Sequence, residues 1–208
     1  MFSIQNLTYH PAATALPILR QISLQLAPKQ LGAIVGASGA GKSTLLEIMA
    51  GLARPTEGSI CWCDKPLQAR QLRQLAGLVF QFPERHFCGF SVVEELRFGH
   101  PELRLEDITH ALEQVGLQDI PLERSPLELS GGQQRRLALA VQLVRSPSLL
   151  LLDEPTAGLD WSVSRQAVEL LARLKQNWSI LVVTHDPKYM EGVADRQWRL
   201  DAGQLFEG

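Results

Sequence analysis

Nine residues, Gly36-Ala37-Ser38-Gly39-Ala40-Gly41-Lys42-Ser43-Thr44, constrain this chain more than any other stretch. They satisfy the pattern G-x-x-x-x-G-K-[ST] and lie between an apolar run, Leu31-Gly32-Ala33-Ile34-Val35, and a helical stretch from Lys42 to Ala50 that Gly51 ends. The expected unit is a buried strand, a glycine loop and a helix. Glycines let the backbone wrap closely enough to aim N–H groups at phosphate oxygens, and the helix adds its positive N-terminal end. Lys42 supplies charge for β- and γ-phosphates, Ser43 a hydroxyl for Mg²⁺, and Thr44 a contact to the α-phosphate. Average residue usage yields this pattern at about 4 in 100,000 start positions, so a glycine turn that merely caps a helix is the weaker reading.

The rest of the composition narrows the class. With 208 residues, 45% of them hydrophobic, the chain can bury the core of one domain. A net charge of −2 provides no global attraction to nucleic acid or anionic lipid. No apolar run approaches the roughly 18 residues needed to cross a bilayer, and Met1 to Asn6 lacks the basic start of a signal peptide, so the expected location is the cytosol. Three cysteines, an odd number, fit reduced thiols. Alternation in Ser59-Ile60-Cys61-Trp62-Cys63 suggests a strand with both thiols on one face, and two ligands do not close a zinc site.

Along the chain, Phe2 to Tyr9 and Ile18 to Leu26 read as an antiparallel meander. Residues from about Phe82 to Pro147 read as mostly helical, punctuated by Pro101, Pro121 and Pro126, with Ser130 capping a last helix from Gly131 to Val144. This block is an insertion into an α/β core, which resumes with Leu149 to Leu152, a helix around Val163 to Lys175, and Ile180 to Val183. Both apolar runs have the character of parallel strands buried on two faces. The first of them ends in Asp153-Glu154, where open α/β sheets hold ligands. There Asp153 suits Mg²⁺ and Glu154 an attacking water, although acidic residues are also common at helix starts.

Leu129-Ser130-Gly131-Gly132-Gln133 stands before the inserted helix, and here the sequence resembles the ABC ATPase family, whose signature is L-S-G-G-Q. A helix N-terminus bearing a hydroxyl and glycine amides is a second phosphate-binding surface. The resemblance covers Phe2 to Leu205. It implies a P-loop NTPase (RecA-like) α/β fold with an N-terminal antiparallel β subdomain and an inserted α-helical subdomain. The single domain then has its core and β subdomain at about 1–81 and 148–208, and its helical part at 82–147. It also implies a head-to-tail dimer, each ATP lying between Gly36 to Thr44 of one subunit and Ser130, Gly131, Gly132 and Gln133 of the other.

Further motifs follow in the family's order. Gln81 resembles the Q-loop glutamine that senses Mg²⁺ and the attacking water, Asp160 the D-loop residue at the dimer interface, and His185 the histidine that touches the γ-phosphate. Tyr9 is the choice for stacking on adenine, with His10 as competitor and a plain strand tyrosine as the alternative. The resemblance implies that Glu154 aligns water while Lys42, Ser130 and His185 stabilise spreading charge. No guanine-reading N-K-x-D is present, which favours ATP. Phe80-Gln81-Phe82-Pro83-Glu84-Arg85-His86-Phe87 resembles the Q-loop of energy-coupling-factor and cobalt-type importer ATPases and of related plastid and cyanobacterial subunits, with His86 in place of the usual Gln. Many of those relatives carry a C-terminal extension that is expected to be missing here. The implied partners are a second identical or paralogous ATPase and an integral membrane transporter subunit, with the chain peripheral on the cytoplasmic side; no nucleic acid is expected. An iron–sulfur cluster assembly ATPase is the alternative class.

Overall fold

The computed structural model describes residues 1–208. The chain begins with β1 (Phe2–Tyr9), β2 (Leu19–Leu26), β3 (Leu31–Val35), α1 (Lys42–Met49), β4 (Glu57–Trp62), β5 (Lys65–Pro66), α2 (Ala69–Leu75) and β6 (Ala76–Val79). Its middle holds α3 (Val92–Arg97), α4 (Leu105–Gln114) and α5 (Gly131–Leu143). It finishes with β7 (Leu149–Asp153), α6 (Trp161–Leu174), β8 (Ser179–Thr184), β9 (Arg196–Asp201) and β10 (Gln204–Glu207).

These strands form two sheets. A small antiparallel sheet has the order β2-β1-β4-β5, and a six-stranded sheet has the order β10-β9-β3-β8-β7-β6. In the larger one every neighbouring pair is parallel except β9 with β10. Because β3, β8, β7 and β6 are parallel neighbours, their C-terminal ends stand in a row. Gly36, His185, Asp153 and Gln81 each lie at or just beyond one of those ends, which is where an open parallel sheet offers a crevice.

Alternation along the central strands divides the interior. Leu150, Leu152, Ile180 and Val182 pack with Leu137, Leu143 and Leu171 of the helices. Leu149, Leu151, Leu181 and Val183 pack instead with Phe2, Leu24, Leu45 and Met49. All residues of β7 and β8 are buried, so the continuous apolar runs of the sequence correspond to strands covered on both faces.

Two expectations need correction. The stretch from Phe82 to Pro147 is less helical than its pattern suggests: α3, α4, α5 and two short 3₁₀ turns are separated by loops. The reason is visible before α3, where the buried Glu95 carboxylate accepts from the N–H groups of Cys88 and Gly89, both at 2.7 Å, and Glu94 accepts from Phe90 N–H at 2.9 Å. Side-chain acceptors thus replace helical carbonyls. The two thiols also part company. Cys61 is buried in β4, while Cys63, with φ of 48°, turns the chain into β5 together with Asp64 and is exposed. No helix is long and apolar enough to cross a membrane.

Candidate nucleotide-binding site

The loop Gly36 to Gly41 leaves β3 with Gly36 N–H bonded to Thr184 O at 3.2 Å. A Cβ at Gly36 would meet Leu200 O at 2.4 Å, so the close approach of loop and sheet requires glycine there. Ala37, Ser38 and Gly39 are exposed, and Ala40 and Gly41 lead into α1. Gly41, at φ of 101°, precedes the helix without any side-chain cap. The first N–H groups of α1 consequently lack an internal partner and are available to an anion. Ser43 is exposed and Thr44 half-buried in the first turn.

Lys42 is buried, and its ammonium donates to Gly36 O at 2.7 Å and Ala37 O at 3.1 Å. It also lies 3.4 Å from Glu154 Oε1. The other oxygen of Glu154 accepts from His185 N–H at 3.2 Å and lies 2.8 Å from His185 Nδ1. The structure therefore joins Lys42, Glu154 and His185 in one contact, from the start of α1 and from just beyond the ends of β7 and β8. Glu154 has φ of 48°, in the left-handed region that costs a non-glycine residue about 1 kcal/mol. Its own N–H bonds to Val183 O at 2.9 Å, which holds it at the end of β7 despite that cost.

Asp153 is buried, and its Oδ1 has no hydrogen-bond partner. Burial pushes its carboxyl above the usual range and the Glu154 charge adds to this, while the Ser43 hydroxyl and Lys42 act in the opposite direction. A buried carboxylate oxygen without a partner, next to a hydroxyl and facing a phosphate loop, is a donor set that fits Mg²⁺.

The signature residues lie elsewhere. Ser130 caps α5 reciprocally with Gln133: Ser130 Oγ accepts from Gln133 N–H at 3.3 Å, and Ser130 N–H donates to Gln133 Oε1 at 2.9 Å. Neither side chain bonds to Lys42, Glu154 or His185. Gly131 has open space where a side chain would be, and Gly132 lies against Val163. Ser130, Gly131, Gly132, Gln81 and Asp160 border a separate cavity of about 350 Å³ with an apolar floor. Asp160 caps α6 by accepting from Val163 N–H at 3.0 Å. One chain thus displays two clusters whose side chains do not bond to each other, the phosphate loop with the strand-end carboxylates, and the signature with Gln81 and Asp160.

Tyr9 is half-buried at the end of β1 and packs on the core beneath it, while His10 Nε2 lies 2.9 Å from Thr14 O within the following loop. His86 stacks on Phe80, ring centroids 4.7 Å apart. Arg135, which no sequence pattern singled out, donates to Pro155 O at 2.9 Å and also to Ala157 O.

This combination defines a P-loop nucleotide hydrolase of the mixed α/β kind. A family model described as ABC transporter matches residues 19–157, and the chain belongs to that family. It is 43% identical to the chloroplastic ABC transporter I family member 11 of Arabidopsis thaliana, over 98% of this chain and 79% of that protein. It is 35% identical to the energy-coupling factor transporter ATP-binding protein EcfA2 of Symbiobacterium thermophilum, over 99% of this chain and 76% of that protein. Among solved structures, CbiO1 of Clostridium perfringens, described as part of the ABC transporter complex CbiONQ, superposes with a TM-score of 0.90 at 28% identity, covering 99% and 86% of the two chains. A dimeric ATP-binding cassette in a post-hydrolysis state with ADP and Pi gives 0.82 at 26% identity, covering 100% and 98%.

Proposed function

We propose that this chain is the ATP-hydrolysing subunit of an importer of the energy-coupling-factor or cobalt type, working as a dimer of cassettes bound peripherally to a membrane subunit. The observation that carries this reading is the separation of the two clusters. Gly36 to Thr44 with Asp153, Glu154 and His185 provides one half of a nucleotide pocket, and Ser130 to Gln133 provides a phosphate-binding helix end in a different place. Two copies arranged head to tail complete both. The dimeric cassette with ADP and Pi supports pairing of two cassettes, and the energy-coupling and cobalt relatives support the importer reading.

In this reading the nucleotide enters with its phosphates against the α1 N-terminus, and Tyr9 supplies the stacking surface for adenine. Lys42 donates to Gly36 O and Ala37 O and pairs with Glu154. The γ-phosphate takes the place of Glu154 at Lys42, which frees Glu154 to accept a proton from the attacking water. His185, on the other side of Glu154, turns to the γ-phosphate, and Gln81 orients the water from the end of β6. Ser43 and Asp153 would hold Mg²⁺, with Gln81 joining them from the rim of the signature cavity, and the ion would neutralise phosphate charge. Ser130 and the Gly131 and Gly132 amides of the second subunit stabilise the remaining charge.

Two variants and one capture experiment test the proposal. Lys42→Ala abolishes ATP turnover, and Glu154→Gln accumulates an ATP-bound dimer visible by gel filtration. A tagged chain retained on solubilised membranes copurifies with an integral membrane protein. Recovery with soluble assembly proteins alone contradicts the importer reading, and fast hydrolysis by the Glu154→Gln chain removes Glu154 from its role.

A further inference from the structure

The two clusters of the site lie on separate elements, and one side chain ties those elements together. Arg135 is on α5, five residues beyond the capping Ser130. Its guanidinium is half-buried and donates to Pro155 O at 2.9 Å and to Ala157 O. Pro155 directly follows Glu154, and Ala157 leads into the turn that ends at Asp160.

The loop from Glu154 to Asp160 has few other anchors. Its internal bonds are Ala157 N–H to Glu154 O at 3.1 Å and Leu159 N–H to Thr156 O at 3.3 Å, which shape the turn without fastening it to anything. At one end Glu154 is held by Val183, Lys42 and His185, and at the other Asp160 caps α6. Between those ends, Arg135 makes the loop's hydrogen bonds to the helical part. Burial draws the guanidinium pKa down, and the Glu84 carboxylate, from the loop after Gln81, raises it again. A planar fork reaches two carbonyls at once, which a lysine or glutamine cannot do with the same geometry.

We propose that Arg135 is a positioning residue that makes the Ser130 end of α5 and the Glu154 to Ala157 loop move as one body, so that in the dimer the filling of one nucleotide site sets the geometry of the other. This rests on the dimeric reading above: Ser130 serves the nucleotide held by the partner's phosphate loop, while Glu154 serves the nucleotide of its own. Arg135 links them within one chain through a rigid helix turn and two hydrogen bonds. Occupancy of the partner's site fixes Ser130, α5 carries that constraint to Arg135, and Arg135 fixes the backbone that aims Glu154.

The test compares the full chain with R135Q and R135K by two readouts. In the nucleotide-free protein, amide hydrogen exchange at Ala157 and Leu159 accelerates about tenfold in R135Q, less in R135K, with the amides of α5 beyond Gln134 unchanged. In steady-state turnover against ATP concentration, the wild-type curve is sigmoidal, and R135Q brings its Hill coefficient toward 1 with the half-saturating ATP concentration within about twofold; R135K restores part of the sigmoidal shape. A purely structural arginine slows turnover without changing the shape of the curve, and that result overturns the coupling. A wild-type Hill coefficient of 1 overturns it too, as does unchanged exchange at both amides. A wild-type chain that turns over no ATP overturns the dimeric-ATPase reading and the coupling with it, and the exchange readout then judges the Arg135 tie by itself.

Discussion

The surroundings of Asp153 disfavour its charge. Its folded pKa is raised above the unfolded value, so ionisation opposes folding. That penalty is fully present above the folded pKa and fades as the pH falls through it toward about 4, where the unfolded carboxyl also protonates. Asp153→Asn should therefore raise the Tm at pH 7.5, by about 2 to 4 °C for each kcal/mol relieved, with the gain closing near about pH 4. The same variant should lose the Mg²⁺ dependence of ATP binding. A scanning calorimetry series across pH checks the first, and a lower Tm for the variant at neutral pH contradicts it. Asp153 and Glu154 were legible as a pair from their place after four leucines. The side-chain contact of Glu154 with Lys42 and His185 was not, because it joins residues 112 and 31 positions apart by sequence number, through strand order that no local pattern encodes.

The elements succeed or fail on their ends. Ser130→Ala removes the reciprocal cap of α5 and is expected to cost about 1 kcal/mol of stability, measurable by urea unfolding. Its effect on turnover should be larger than that cost explains, since the hydroxyl also serves the nucleotide. A second junction is Asp195, whose carboxylate accepts from Leu31 N–H at 2.8 Å and pairs with Lys175 at 3.0 Å, fastening the end of α6 to the start of β3. Burial works against this carboxylate, and the bonds from Leu31 and Lys175 outweigh it and hold its pKa below the usual range. The stability it contributes is present above about pH 4 and is lost as the pH falls through its folded value. Asp195→Asn should cost about 1 kcal/mol at pH 7, discounted for partial exposure, with the difference from wild type vanishing in acid. Strands buried on both faces were readable from their composition, whereas β9, which adds Trp198 and Leu200 to the core, and β10 carry mixed polar residues and declare themselves chiefly through the Ala202-Gly203 turn. The loops before α3 escaped notice because carboxylate-to-backbone bonds leave no periodic trace.

For the molecule as a whole, the incompleteness of each pocket predicts kinetics of second order in protein. Specific ATPase activity should rise with protein concentration and reach a plateau, and mixing Lys42→Ala with Ser130→Ala chains should restore at most one working site per pair. Constant specific activity across dilution, with the chain monomeric throughout in light scattering, is the contrary result.

The division of the interior by β7 and β8 has a consequence for how this chain tolerates change. Leu149 and Leu151 feed the compartment beneath the phosphate loop, while Leu150 and Leu152 feed the one that carries the signature helix. Neighbouring leucines therefore answer to different tenants: a cavity cut at an odd number loosens the floor under the nucleotide, and one cut at an even number loosens the seat of the helices. The two halves of the machine can drift apart in sequence behind a shared wall five residues long.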